Sequence, residues 1–364
     1  MRKSIRLFCL AALVASFILV PIQGVYAEEY YKGKKIEIII SSGPPGTGTD
    51  IVCRAILKHL GKFIPGNPTV IINYMPGGGG TIGANYIYNI AKKDGTTVFF
   101  GAGMNAMGSI IRIKGARYDY GKMTPALALG SGAIGYAKTQ IVKKPEDIVR
   151  AKGLIFGASP PPSMVTIFML LSYEVFDNKA ERVIFGYSST TGGRLAFLQG
   201  ETNIMCETAP GYLKNIKPLV DKGEVTPVWQ SGLLNEAGEV IREPSISDVM
   251  TVLEVYQKVY GKDPSGKAWE AFKMVIGGVA NLSKAFLFPP GTEKYADIFA
   301  DACEKMAKDP GFMADMQKVA PGNPIYVGEQ LKNIWKTSKR QISPEAVDWL
   351  RNWLKNDYDV ALEP

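Results

Sequence analysis

Residues 35 to 63 constrain this chain more than any other stretch. The run Ile36-Glu37-Ile38-Ile39-Ile40 is rich in β-branched residues, and Gly43-Pro44-Pro45-Gly46-Thr47-Gly48 breaks it. Ile51, Val52, Ala55, Ile56, Leu60 and Phe63 then recur on one helical face. This succession predicts a buried strand, a tight loop and an amphipathic helix. A loop that opens a helix leaves backbone N–H groups free at the positive end of the helix dipole, which suits an anion. Gly46, Thr47, Gly48, Thr49 and Asp50 are therefore candidate ligand-binding residues.

Nucleotide chemistry does not fit this loop. Thr49 stands where a P-loop has the lysine that reaches the phosphates, and Asp50 stands where a hydroxyl would hold magnesium. A carboxylate at the helix start repels a triphosphate, whereas it satisfies free N–H groups and complements the dipole. A smaller anion such as a carboxylate fits better.

The unit then repeats, with a strand over Thr69–Asn73, the loop Met75-Pro76-Gly77-Gly78-Gly79-Gly80 and a helix over Thr81–Ala91. Gly78, Gly80 and Gly83 satisfy G-x-G-x-x-G, but four consecutive glycines produce that spacing readily. No acidic residue ends a following strand about 20 residues on, where a ribose hydroxyl would need it. Gly78 and Gly79 are read either as a second wall of the anion site or as tight-turn glycines. Asp94-Gly95 turns into a strand over Thr96–Gly101. Strands alternating with helices at this spacing predict a parallel sheet with ligands at the carboxyl ends of its strands.

The N-terminus reads as a secretory leader over residues 1–27, with Arg2, Lys3 and Arg6, an apolar core from Leu7 to Val20, and Val25-Tyr26-Ala27 for cleavage. An uncleaved anchor is the alternative, although the apolar run is short for a span of about 20 residues. Cleavage would leave 337 of the 364 residues, enough for two domains. It would lower the formal charge from +8 to +5. That mild excess favours anionic ligands, and no basic run interleaved with aromatics points to nucleic acid. Cys53, Cys206 and Cys303 follow the leader, an odd number that implies no disulfide framework. His59 is the only histidine and sits in the first amphipathic helix, so a structural role is expected. A multi-histidine zinc site or a Ser-His-Asp triad lacks the necessary residues.

Three ordered motifs behind an export leader carry a resemblance. Gly46-Thr47-Gly48-Thr49-Asp50, Pro76-Gly77-Gly78-Gly79-Gly80-Thr81-Ile82-Gly83 and Asp94-Gly95-Thr96-Thr97 resemble the substrate-binding proteins of tripartite tricarboxylate transporters, the Bug family. The resemblance implies an α/β protein of the type II periplasmic-binding-protein fold, two α/β domains joined by two crossover strands around a central cleft. It places domain 1 at 28–125 and 232–364 and domain 2 at 126–231. The long strand over Thr124–Lys138 would leave domain 1, and the strand over Val225–Ser231 would return to it.

In domain 2 the resemblance points to Ser159, Ser163 and the backbone of Met164, then to Ser188, Ser189, Glu207 and Thr208. The chain departs from the family at Pro160-Pro161-Pro162, which removes N–H donors. It also departs at Tyr187-Ser188-Ser189, where relatives commonly carry Tyr-Lys-Gly, and at Glu207, near which relatives often place Asp. Arg194 is read either as a carboxylate partner or as a solvated helix residue. Residues 233–282 depart from the compact pattern, with helices expected over 249–260 and 267–279 that cover an edge or alter access to the cleft. Trp335, Trp349 and Trp353 on the C-terminal helices are read as packing residues. The function implied is capture of a small organic acid and its delivery to membrane transporter subunits, by a monomer without catalysis, cofactor or metal. The alternatives are an exported α/β enzyme using Asp50 or Glu207 as a base, or a sensor that presents its ligand to a signalling receptor.

Overall fold

In a computed structural model, residues 30–187 and 189–364 are described. The expected leader and Ser188 lie outside the described residues. The first half runs β1 (Lys35–Ile40), α1 (Gly48–Leu60), β2 (Thr69–Tyr74), α2 (Thr81–Asn89), β3 (Thr97–Ala102), α3 (Gly103–Ile110), β4 (Thr124–Leu129) and β5 (Ala133–Lys138). It continues with β6 (Ile155–Gly157), α4 (Met164–Val175), β7 (Arg182–Ile184), α5 (Thr190–Gln199), β8 (Ile204–Thr208), α6 (Ala209–Asn215), α7 (Lys217–Asp221) and β9 (Val225–Gln230). Then come β10 (Leu233–Leu234), β11 (Val240–Ile241), α8 (Val252–Tyr260), α9 (Lys267–Val275) and β12 (Lys284–Phe288). The chain closes with α10 (Glu293–Met306), α11 (Pro310–Val319), β13 (Ile325–Tyr326), α12 (Gly328–Arg340) and α13 (Pro344–Tyr358).

Two principal sheets result, ordered β13-β4-β12-β3-β1-β2 and β7-β6-β8-β5-β9. The parallel trio of β2, β1 and β3 is what the repeated strand, loop and helix units require, since each crossover helix returns the chain to the same end of the sheet, and β2 and β3 flank β1. Both faces of the first sheet are buried, which explains why its strands read as nearly continuous apolar runs. Ile36, Ile38, Ile40, Val98, Phe100, Phe286 and Phe288 pack on the side covered by α1, α10 and α11. Ile39, Phe99, Ala285 and Leu287 face the other way, into a core that runs on into the second sheet.

The long strand expected over 124–138 is divided. Gly130-Ser131-Gly132 separates β4, in the first sheet, from β5, in the second. The strand expected over 225–231 to run back into the first domain instead stays in the second sheet. Its pairing with β5 occupies it from Val225 to Gln230. The return is made by Ser231-Gly232, beside the outward crossing: Ser231 N–H donates to Ala133 O at 2.8 Å, and Ala133 N–H donates to Ser231 Oγ at 3.0 Å.

Helix α9 does not merely cover an edge. It packs on both α4 and α13, with Phe272 tilted against Phe168 at 5.6 Å, and so ties the two halves together. His59 has the structural role expected of it, with Nε2 3.0 Å from Asp315 on α11 and its ring edge-on to Phe312. Cys53, Cys206 and Cys303 are all free and buried. Among the described residues, no helix is long and apolar enough to cross a membrane.

Candidate functional site

The first wall is built where β1 ends. Ser41 turns into the core, where its Oγ accepts a hydrogen bond from Asn105 Nδ2 at 3.0 Å. Ser42 follows with its hydroxyl buried and without a partner among the described residues. Thr47 caps α1 by accepting from Asp50 N–H at 3.4 Å. The Asp50 carboxylate accepts from Gly46 N–H at 2.8 Å, from the Tyr74 hydroxyl at 2.5 Å and from Arg54 Nε at 2.9 Å. Burial alone would raise its pKa, but these three donors outweigh burial and hold it below the ordinary value. Asp50 is thus spent on folding the loop back on its helix. The first-turn N–H groups of Gly48 and Thr49 have no intrahelical acceptor, and Gly46 and Gly48 are exposed.

The second glycine loop is pinned from behind. Gly77 to Gly80 all hold positive φ, a run that residues with a Cβ adopt only under strain. Asn105, fully buried on α3, donates to Gly80 O at 3.1 Å and accepts from Ala102 N–H at 2.9 Å. One amide thereby joins the ends of β1 and β3 to the loop. At Gly83 a methyl group would come within 2.7 Å of Ser41 Cβ. Gly79 lies against the other half of the molecule, where an added Cβ would meet Pro162 at 3.0 Å. Gly78, Gly79 and Pro160 to Pro162 line a cavity of about 370 Å³.

In the second half Ser159, just past β6, also has a buried, unpartnered hydroxyl. Its carbonyl is taken by the Thr166 hydroxyl at 2.8 Å. Ser163 precedes α4 without capping it through its side chain, so the first N–H groups of that helix are left to the cleft or to solvent. Met164 packs its side chain opposite Gly103, across the two halves. Ser189 is exposed and caps α5, accepting from Gly192 N–H at 3.4 Å. Thr208 stands before α6 with no side-chain cap bond.

Glu207 is committed elsewhere. It is buried under α5, with Oε1 at 2.6 Å from Arg194 Nη1, which accounts for both charges that sequence reasoning had left open. Burial raises the Glu207 pKa, and Arg194 opposes that rise. The structure therefore brings the Gly78–Gly79 loop to the Pro160–Pro162 loop, while Glu207 pairs with Arg194 through Oε1 and keeps a buried Oε2 that has no partner among the described residues.

Sequence reasoning missed Ser42, Asn105 and Lys284. Lys284 pairs in register with Ala102 on β3 and Leu129 on β4, at the edge where β3 and β4 end. Carrying the β1–β3 register three residues past Ile39↔Phe99 brings Ser42 level with Ala102. By strand alternation Ser42, Ala102 and Lys284 then share the sheet face that α1 covers. Lys284 is half-buried, and its side chain has no hydrogen bond or ion pair among the described residues. Burial lowers its pKa, with Glu243 opposing. Arg54 is tied to Asp50 and Arg194 to Glu207, whereas Lys284 is a cation at this edge without a side-chain partner among the described residues. The available signal was a lone charge opening the apolar run Ala285-Phe286-Leu287-Phe288.

Neither protein-family models nor curated proteins match the sequence. Solved structures do match its fold. A TctC solute-binding protein from Polaromonas superposes with a TM-score of 0.64 at 16% identity, over 88% of this chain and 99% of its own. MatC from Rhodopseudomonas palustris, solved with bound malate, gives 0.59 at 17% identity over 88% and 98%. A further R. palustris protein, solved with adipate, gives 0.61 at 17% identity over 88% and 97%. The chain therefore has the two-sheet α/β fold of the periplasmic solute-binding proteins.

Proposed function

We propose that this chain is an extracytoplasmic solute-binding protein of the tripartite tricarboxylate transporter type, exported by a cleaved leader over residues 1–27. It captures a small dicarboxylic or related organic acid between its two halves and delivers it to membrane subunits. The observation that carries this reading is the pair of buried, unpartnered hydroxyls, Ser42 past β1 and Ser159 past β6. Buried polar groups without partners are uncommon in folded proteins, and a bound carboxylate would accept from both hydroxyls. Each precedes in the chain a helix, α1 or α4, whose first N–H groups have no intrahelical acceptor, and in this reading each half offers hydroxyl and amide donors to one end of a diacid.

Malate and adipate, bound by two structural neighbours, set the size class. Thr47, Gly48 and Thr49 with Lys284 form the anion-binding side, and Ser159, Ser163 and Ser189 the opposite jaw, with Asp50 ordering the first loop. Closure about the paired crossings at 130–132 and 231–232 buries the acid and changes the surface that a transporter meets. Asp50 is held by Gly46, Tyr74 and Arg54, and Glu207 pairs with Arg194 through one oxygen, which favours binding over proton transfer at these two carboxylates.

Melting of the 337-residue mature chain in the presence of mono-, di- and tricarboxylates, with calorimetry on each hit, tests the reading. A ligand present at about a thousand times its Kd stabilises the folded state by about 4 kcal/mol. A diacid is expected to raise the melt and to bind with unit stoichiometry. Stabilisation by neutral sugars alone would sink the acid assignment.

A further inference from the structure

A cavity of about 710 Å³ does not lie between the two halves. It opens within the helical layer over the first sheet, between the end of α3 with the loop that follows and helices α12 and α13. None of the residues lining it belongs to the glycine, proline or serine loops of the cleft. Ile110, Leu282, Ile342, Trp335 and Tyr120 form its apolar part, and the Tyr120 hydroxyl is buried without a partner. A concavity of this size, apolar and aromatic inside with few polar groups, has the character of a small-molecule site.

Its charges are unevenly committed. Arg112, Arg117 and Lys339 are exposed, and their side chains make no hydrogen bond or ion pair among the described residues. Arg351, the fourth cation, is held by the carbonyls of Ile111 and Glu363. The carboxylates are mostly occupied: Asp119 accepts from Gly121 N–H at 3.0 Å and lies 3.5 Å from Lys122, and Glu363 accepts from Gly115 N–H at 2.6 Å. Among these carboxylates Asp348 alone has no side-chain partner among the described residues. Three uncommitted cations thus face one uncommitted carboxylate. Arg112 also holds a left-handed backbone, φ +50, with its carbonyl accepting from Glu363 N–H at 2.8 Å. That conformation costs a residue with a Cβ some strain.

We propose that this cavity is a second ligand site, which takes an amphipathic carboxylate: an apolar or aromatic body lies against Trp335, Ile342 and Leu282, and its carboxylate meets Arg112, Arg117 and Lys339 at the mouth. The ligand class differs from that of the cleft, where the donors are hydroxyls and amides from two facing loops. The C-terminal end of α3 lines this cavity while its N-terminal end, at Gly103, abuts Met164.

Calorimetric titration of the full mature chain with phenylpropionate, and with uncharged phenylpropionamide as control, tests the proposal. Phenylpropionate is expected to bind with unit stoichiometry, and the amide about tenfold or more weakly. The double variant R117E/K339E alters exposed side chains only and is expected to keep its melting temperature while losing about tenfold in affinity. Filling the cavity with I342W is expected to abolish binding, and K284M at the cleft edge to leave it unchanged. If I342W does not fold, the double variant and the amide control decide. The proposal fails if phenylpropionate does not bind, if the amide binds equally well, if R117E/K339E binds as the parent does, or if K284M removes the binding.

Discussion

Glu243 Oε2 accepts a hydrogen bond at 2.6 Å from the backbone N–H of Gly132, in the segment that separates the two sheets. The carboxylate is fully buried, and its other oxygen accepts from the Ser245 hydroxyl at 2.8 Å. Gln230, at the end of β9, accepts from Glu243 N–H at 2.7 Å and donates to the carbonyls of Ile246 and Val249. Both crossings between the halves are therefore held by one short segment, with a titratable group at its centre.

That group gives stability a definite dependence on pH. Burial pushes the Glu243 pKa from 4.5 to about 7, against the opposing effects of Ser245, Gly132 and Lys284. Between those values the folded state holds a proton that the unfolded state has released. Stability therefore falls as pH rises through this window, by up to about 3 kcal/mol, and levels off above it. E243Q keeps an acceptor for Gly132 N–H without the charge. Urea midpoints at about pH 5 and pH 8 are expected to diverge in the parent and converge in E243Q. Equal slopes in both proteins would remove Glu243 as the cause.

Asp50 and Thr49 are neighbours with separable roles. D50A leaves Gly46 N–H and the Tyr74 hydroxyl without their acceptor and is expected to cost about 2–3 kcal/mol. Because its folded pKa is lowered, Asp50 stabilises the chain above the ordinary carboxylate pKa, and that contribution is lost as pH falls through the folded value. T49A is expected to change stability by less than about 0.5 kcal/mol and to weaken acid binding. Chemical denaturation alongside calorimetry separates the two, and a T49A variant with full affinity would take this loop out of the site.

Asn105 supports the site from behind. N105A strands the Ala102 N–H and unties the Gly80 carbonyl and the Ser41 hydroxyl inside a fully buried pocket. Its expected cost is about 2–4 kcal/mol. Hydrogen exchange resolved by residue is expected to show the loss concentrated at 77–83 rather than spread over the second sheet.

What the sequence disclosed and what it hid divide along a physical line. The strand, loop and helix of β1 and α1 were legible because periodicity and glycine placement are local signals. The C-terminal helices were legible for the same reason, with Asp309 and Ser343 as caps ahead of Pro310 and Pro344. Glu207 was placed at the cleft by its position in the chain, yet its partner lies 13 residues earlier on α5, and no periodicity announces that pair. Asn105 meets Ser41 across 64 residues and Glu243 meets Gly132 across 111. Such contacts are properties of the assembled topology. The strand over Val225–Ser231 was expected to carry the return to the first domain, but it pairs with β5 up to Gln230, because an apolar run does not reveal which neighbour it pairs with.

Lys284 supplies the last test, since it sets charge against stability. Its folded pKa is lowered by burial, so holding the proton at neutral pH costs the folded state free energy. K284M retains the length and apolar stem without the charge, and is expected to raise stability. If Lys284 meets the bound acid, the same substitution weakens diacid binding about tenfold to a hundredfold. The parent's affinity should also decline as pH rises through the lysine's lowered pKa, because the neutral amine no longer attracts a carboxylate. Calorimetry of parent and K284M across that range reads both effects together. A K284M protein that is more stable and binds the diacid unchanged would leave Lys284 as a buried charge of the hinge, and the cleft would hold its ligand with hydroxyls and amides alone.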